Sequence, residues 1–323
     1  MIEVFRCREN TVEKLKAGLK ELKDVKNPKT FAWVDVFKPS EKELKFISDN
    51  LGVSLKDLSA SLSKEQRPKV VEDLEGPFDL IVFGAPSFEE EVITTTPVFI
   101  YTSKKHNFVV TIRNADTKSI SRLKEGIGAK KYLFCKGSSY FIYRLLDEII
   151  NTYFNVLDEV EDKVESTEES MIDNHDMDVV KGIFKIKKTL IYFTKSLAAN
   201  REVIASIEKE YLPEIDRKTA KSFRTLYNDT VQLIEMSSTH REILTGLLEV
   251  QLSAISNDLN KVMKTLTVGA TYILIPTLIA SIYGMNFKYM PELGWKHGYL
   301  FAIGVMVVSM LATHAYFKKK KWI

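Results

Sequence analysis

The chain has 323 residues, with 46 Lys and Arg against 43 Asp and Glu, a formal net charge of +3 and 45% hydrophobic residues. That length holds one sizeable soluble domain plus additional elements, and the near-neutral charge gives no footprint of a nucleic-acid partner. Cys7 and Cys135 form neither a CxxC pair nor a disulfide framework, which suits a reducing cytosol, and the opening MIEVFRCREN lacks the apolar core of a secretory signal.

Residues 1–136 read as a compact α/β domain. FAWVDVF (31–37) and DLIVFGA (79–85) are rich in β-branched and aromatic residues and predict buried strands. VITTTPVFIYTS (92–103) and HNFVVTIRN (106–114) predict a hairpin turning at Lys104-Lys105, with Pro97 marking an edge or a bulge. Helical stretches are expected at 11–23, 40–50 and 54–64. There is no P-loop and no GxGxxG, which argues against a pump driven directly by nucleotide hydrolysis.

Residues 137–215 change character. Tyr143, Leu146, Ile150, Phe154, Leu157 and Val164 recur at helical spacing. A break at Asp173-Asn174-His175-Asp176 separates two helices, giving an antiparallel charged hairpin. Ten acidic residues and one lysine lie between Asp158 and Asp178. Such a tip is either a solvated turn or an electronegative surface that attracts divalent cations.

From Asp216, a plausible N-cap, one helix is expected to run to residue 284. At 1.5 Å per residue it is roughly 100 Å long, so most of it is a stalk. Leu244, Leu248, Leu252, Ile255, Leu259 and Val262 form an apolar stripe that one copy cannot bury, implying association along the stalk. Two terminal stretches, about 266–284 and 298–317, are long and apolar enough to cross a bilayer. Residues 285–297 link them and 318–323 form a basic tail. Lys261, Lys264 and Lys318–Lys321 outweigh Lys288 and Lys296 of the connecting loop, so both termini are expected in the cytosol of a multi-pass cell-membrane protein.

A second stripe holds Glu249, Ser256, Asn260, Met263, Thr267, Ala270, Leu274, Thr277 and Ser281, all on one helical face. Opposite lie Val268, Tyr272, Ile275 and Ile279. Small and hydroxyl side chains of this kind suit either water or close helix packing. From Ser256 onward the face carries no carboxylate. Magnesium sheds water reluctantly, and neutral oxygens can hold its hydration shell without trapping the ion.

Gly284-Met285-Asn286 stands between the two spans, followed by Met290-Pro291-Glu292-Leu293. With the lysine tail and the architecture above, an α/β head, a helical hairpin and a long stalk entering the first of two spans, this α+β membrane protein resembles the CorA family of magnesium transport proteins. The resemblance is strongest from about residue 240 onward. It implies a homopentamer in a lipid bilayer, with the first span lining a pore and the second facing lipid. It implies an outer selectivity filter at Gly284, Met285 and Asn286, and uptake of magnesium, with cobalt and nickel as further cargo, driven by membrane potential. It also implies cytosolic magnesium acting as a regulatory ligand between subunits. Glu89, Glu90, Glu91, Asp229 and Glu249 are the candidates here. The family pattern has an aspartate near the position of Thr225, so this ligand set departs from it. No organic cofactor and no enzymatic constellation are implied. The alternatives are a zinc transporter of the same superfamily and a membrane-anchored sensor or scaffold without conductance.

Overall fold

The computed structural model of the chain describes residues 1–8, 11–16, 22, 25–26, 30–63, 66–73, 76–89, 92–129, 134–173, 177–209, 212 and 215–323. Two compact units divide them, Met1–Leu248 and Glu249–Ile323.

In the first unit, seven strands among the described residues form one sheet: β1 (Ile2–Arg8), β2 (Thr11–Lys16), β3 (Ala32–Phe37), β4 (Lys69–Val71), β5 (Phe78–Glu89), β6 (Val92–Ser103) and β7 (Phe108–Arg113). Their order is β2-β1-β3-β7-β6-β5-β4, with β3 and β7 parallel and every other pair antiparallel. The central strands are buried on both sides, and alternation assigns each side chain to a layer. Phe31, Trp33, Phe83 and Val109 join one core with α3 (Lys118–Ala129), α4 (Ser138–Asp173) and α5 (Met177–Glu208). Val34, Val36, Val82 and Val110 join the other with α1 (Glu41–Leu51) and α2 (Leu55–Ala60). The hairpin helices α4 and α5 therefore bury their apolar stripe on the sheet.

The helix expected over 11–23 is replaced, at Thr11–Lys16, by β2 paired with β1, while residues 17–21 and 23 lie outside the described set. Glu13 and Lys14 suit an exposed helix, but here they make cross-strand ion pairs to Arg6 and Glu3 at 3.0 and 2.6 Å. The tertiary pairing overrides a weak local preference. Pro97 lies within an interior strand. It stands just before the β6–β7 ladder, which begins at Val98, so β6 is locally an edge there.

Gly84 of β5 faces Pro97, which has no N–H, and lies past the end of the β4 ladder at Val82. Asn200 of α5 takes both of its backbone groups: Gly84 N–H donates to Asn200 Oδ1 at 2.8 Å, and Asn200 Nδ2 donates to the Gly84 carbonyl at 2.9 Å. Tyr153 Oη of α4 lies 3.1 Å from the same carbonyl and 2.9 Å from Ser196 Oγ. A Cβ at 84 would come within 2.0 Å of Ser196 Oγ, so any larger residue would have to turn that hydroxyl away from Tyr153.

The expectation of unlinked cysteines is corrected. Cys7 and Cys135 form a disulfide with Cα atoms 5.4 Å apart across 128 residues. The β1–β3 pairing brings Cys7 to Phe31, and Phe134 meets Phe31 edge-on just ahead of α4. A separation of that size leaves no local pattern to read.

Asp216 caps a short helix α6 (Arg217–Ala220) by accepting from Thr219 N–H at 2.9 Å. The single helix expected from Asp216 is interrupted: i→i+3 bonds tighten the chain at Lys221–Ser222 before α7 (Phe223–Tyr283) begins. Phe223 is fully buried and meets Tyr143 edge-on, which fixes the start of α7. Pro276 lies inside α7. A 3₁₀ turn (Pro291–Gly294) and α8 (Gly298–Lys319) follow. The C-terminal part of α7 and the whole of α8 are long and apolar enough to cross a membrane, and they are almost entirely exposed.

Candidate functional site

The membrane-length part of α7 has two faces. Val268 is buried, Tyr272 packs edge-on to Phe317 of α8 at 6.3 Å, and Tyr272 Oη lies 2.9 Å from His314 Nδ1. Ile275, Pro276 and Ile279 on the same side are half-buried. On the other side Ser256, Asn260, Met263, Thr267, Ala270, Leu274, Thr277 and Ser281 are all exposed. The second apolar helix thus occupies the face opposite the polar stripe.

Hydrogen bonding sharpens the chemistry of that stripe. Thr267 Oγ1 donates to the Met263 carbonyl and Thr277 Oγ1 to the Ile273 carbonyl, each at 2.7 Å. With their protons engaged, both hydroxyls present acceptor lone pairs outward. Acceptors are what a hydrated cation requires, because its inner-sphere waters point their protons away from the metal. Met263 and Leu274 add large exposed apolar side chains on the same face.

Beyond Tyr283 the chain turns sharply. Gly284 N–H donates to the Ala280 carbonyl at 2.9 Å, Met285 N–H to Ile282 at 3.2 Å, and Phe287 N–H to Met285 at 3.0 Å. Asn286 sits exposed in the middle of this last turn. Pro291 opens the 3₁₀ turn, where a missing N–H costs nothing. Gly298 N–H closes onto the Trp295 carbonyl at 2.9 Å, and Trp295 packs against Phe301, ring centroids 5.7 Å apart. Met-Pro-Glu-Leu therefore folds the connection back onto the start of α8.

The expected regulatory residues fall on different elements of the chain. Asp229 on α7 is half-buried and its carboxyl is pushed up by burial. Its electrostatic neighbour is Asp147 of α4, whose carboxyl is also raised, first by burial and further by Asp229, with Arg144 opposing. Asp147 makes an ion pair with Arg144. Glu148 beside it is raised by burial too. Glu249 is exposed on α7, Glu89 ends β5 opposite Val92, and Glu90 and Glu91 lie outside the described residues. Among the described residues of one chain, no group of three or more His, Cys, Asp or Glu side chains is arranged to hold a metal. Asp147 escaped the sequence reading because it lies between Leu146 and Ile150 in the apolar stripe of α4 and outside the acidic run.

Comparisons with known proteins bear on the family and the overall fold. Residues 28–319 match the family described as CorA-like Mg2+ transporter protein. The cobalt/magnesium transport protein CorA of Methanocaldococcus jannaschii is 38% identical over 293 residues, covering 90% of this chain and 91% of its own. That of Thermotoga maritima is 39% identical over 188 residues, covering 58% of this chain and 54% of its own. The complete structure of the CorA magnesium transporter from M. jannaschii superimposes with a TM-score of 0.85 at 32% identity, over 100% of this chain and 99% of that one. A ZntB cytoplasmic domain from Vibrio parahaemolyticus shares the fold alone, at 13% identity and a TM-score of 0.62 over 79% of this chain and 98% of that one. The α/β head, the long helix continuing into an apolar span and the second apolar C-terminal helix together make this chain a member of the CorA-like Mg2+ transporter family.

Proposed function

We propose that the chain is a channel-like magnesium uptake protein that conducts hydrated divalent cations, cobalt and nickel included, down the membrane potential. The observation that carries the reading is the division of α7: α8 covers one face, while Thr267, Thr277 and their neighbours stand exposed on the other with acceptor oxygens outward. Copies of α7 around an axis convert that face into a water-filled path. Five copies form the assembly. The stalk side chains Leu252, Leu259 and Val262, each more than half exposed in one chain, support association.

In this reading Gly284, Met285 and Asn286 form the outer filter, and Met263 and Leu274 are constrictions that close by dewetting. The body and both termini are cytosolic, consistent with the excess of lysines flanking the spans on that side. Residues 1–136, 137–215 and 216–284 act as sensor head, charged hairpin and pore helix. Cytosolic magnesium binds between subunits and favours closure, with Asp229 and the glutamates near residue 90 among its ligands. The raised carboxyls of Asp147 and Asp229 support this, since a bound cation relieves the cost of holding both ionised.

Ion flux into liposomes containing only this protein tests the reading. Magnesium influx that follows an imposed inside-negative potential is expected. Zinc flux exceeding magnesium would favour the zinc transporter. Absence of any flux from a correctly assembled oligomer would leave an anchored sensor.

A further inference from the structure

The end of α8 is built more closely than a basic tail requires. Lys321 has φ +56°, Trp322 N–H donates to the Phe317 carbonyl at 3.0 Å, and Lys321 N–H donates to Lys318 at 3.1 Å. This is a Schellman cap, with a lysine at the left-handed position that glycine usually fills. Its apolar clasp is present as well: Trp322 stacks on Phe317, ring centroids 5.6 Å apart and 14° from parallel. Phe317 in turn meets Tyr272 of α7. The four lysines Lys318–Lys321 are thereby held in a fixed turn at the foot of the two apolar helices.

Directly above that turn a groove of about 520 Å³ runs between α7 and α8, lined by Tyr272, Val307, Met310, Leu311 and His314. Its walls are apolar apart from the Tyr272–His314 hydrogen bond. Lys318 lies one helical turn beyond His314 and on the same face. No Asp or Glu occurs from Leu293 to Ile323, nor on α7 from Leu259 to Tyr283. The lysines thus have no carboxylate side chain beside them in either helix. The groove opens on the side of α7 away from the exposed Thr267–Ser281 stripe.

We propose that this groove is a binding site for an anionic phospholipid, with an acyl chain against Leu311 and Met310 and its phosphate on the lysines of the capped turn. An apolar slot ending in clustered cations is complementary to that amphiphile and not to a neutral lipid. The inference rests on α7 and α8 lying in a bilayer, not on ion conduction.

The test uses the full chain in mild detergent and native mass spectrometry. Phosphatidylglycerol and phosphatidylcholine with identical acyl chains are the probes. The unsubstituted chain should retain phosphatidylglycerol about tenfold or more in preference, since each lysine near the headgroup contributes roughly fivefold. Lys318→Gln combined with Lys321→Gln should abolish the preference. Leu311→Trp, which fills the groove and leaves every charge, should also abolish it, and Met310→Phe serves if the tryptophan variant does not assemble. Glycerol 3-phosphate at millimolar concentration should displace nothing.

Unchanged preference in the groove-filled variant would reduce the effect to diffuse attraction by a basic surface and overturn the site. Displacement by glycerol 3-phosphate would make it a phosphate site without an acyl component. Groove variants that alter the number of subunits while lipid retention stays constant would assign the groove to a second copy of the chain. Magnesium flux in vesicles made only of zwitterionic lipid reports separately on transport, so the two readings fail independently.

Discussion

Gly298 at the start of α8 lies hard against the Glu292 carbonyl: a Cβ at residue 298 would come within 2.3 Å of that oxygen. The close approach packs the Met-Pro-Glu-Leu turn against the first residue of α8. Pro291 starts a 3₁₀ turn whose carbonyl fits under the first residue of α8. Gly298→Ala should therefore displace the backbone beside the proposed filter, at a cost of about 1–3 kcal/mol typical of overpacking. Expected results are a lower melting temperature in detergent and at least about tenfold less magnesium flux. Gly294→Ala is the control, since nothing lies within 4 Å of a Cβ there. Equal flux from both variants would remove Gly298 from the account.

Asn286→Ala should assemble normally and lose magnesium flux. The side chain is exposed and contributes little burial to the fold, and in the proposed filter its amide oxygen is the group that would accept from ion-bound water. Asn286→Asp should tighten ion binding and slow release by adding a ring of charge. Size-exclusion profile and liposome flux are measured together for each. Normal flux through a correctly assembled Asn286→Ala oligomer would falsify the filter assignment.

Native mass measurement in mild detergent should give five copies. In the proposed assembly neighbouring copies cover the exposed stalk residues Leu252, Leu259 and Val262, and a conducting monomer or dimer is incompatible with a path formed between copies of α7.

Asp147 makes a prediction with a definite sign. Its carboxyl is raised in the folded chain by burial and by Asp229, so the native state binds a proton more tightly than the unfolded state does. Stability therefore falls as pH rises from the ordinary aspartate value of 3.8 through the raised folded value, and the penalty is complete above it. Asp147→Asn should raise the melting temperature at pH 7 by roughly 1–3 °C, with the difference vanishing below the ordinary value. The lost pair with the partly exposed Arg144 offsets little. Millimolar magnesium should stabilise the unsubstituted chain more than the variant, by mass action. A less stable variant at pH 7 would show that the Arg144 pair outweighs the buried charge.

The Cys7–Cys135 link should be detectable as a mass two hydrogens lighter than the dithiol form. Cys7→Ser should destabilise the head by about 2–4 kcal/mol, the usual range for a native disulfide, without altering the membrane segment. Thermal unfolding with and without a dithiol reductant checks this. An unchanged transition would mean that the sheet and α4 hold together without the bond.

Strands 31–37, 79–85, 92–103 and 106–114 were legible because they are rich in β-branched and aromatic residues, most of them buried in the sheet. The order β3-β7-β6-β5 was not, since the parallel pairing of Ala32 with Phe108 joins residues distant in sequence. β1 and β2 were missed for a different reason. They lie at the sheet margin, where Arg6, Glu13 and Lys14 replace the apolar signal with cross-strand ion pairs. Within the site, the two faces of α7 were readable from a 3.6-residue period alone. The partnership of Asp147 with Asp229 was not, because it depends on how α4 and α7 pack.

Pro276 sits four residues after Tyr272, so the Tyr272 carbonyl receives no helical N–H. The same Tyr272 is the residue tied to His314 of α8. One backbone bond is therefore missing from the span at the level where α7 is tied to its neighbour. Below it α7 is tethered to its neighbour. Above it, the segment carrying Thr277, Ser281 and the Gly284–Asn286 turn is joined to the foot of the helix pair through a helix that lacks one backbone bond.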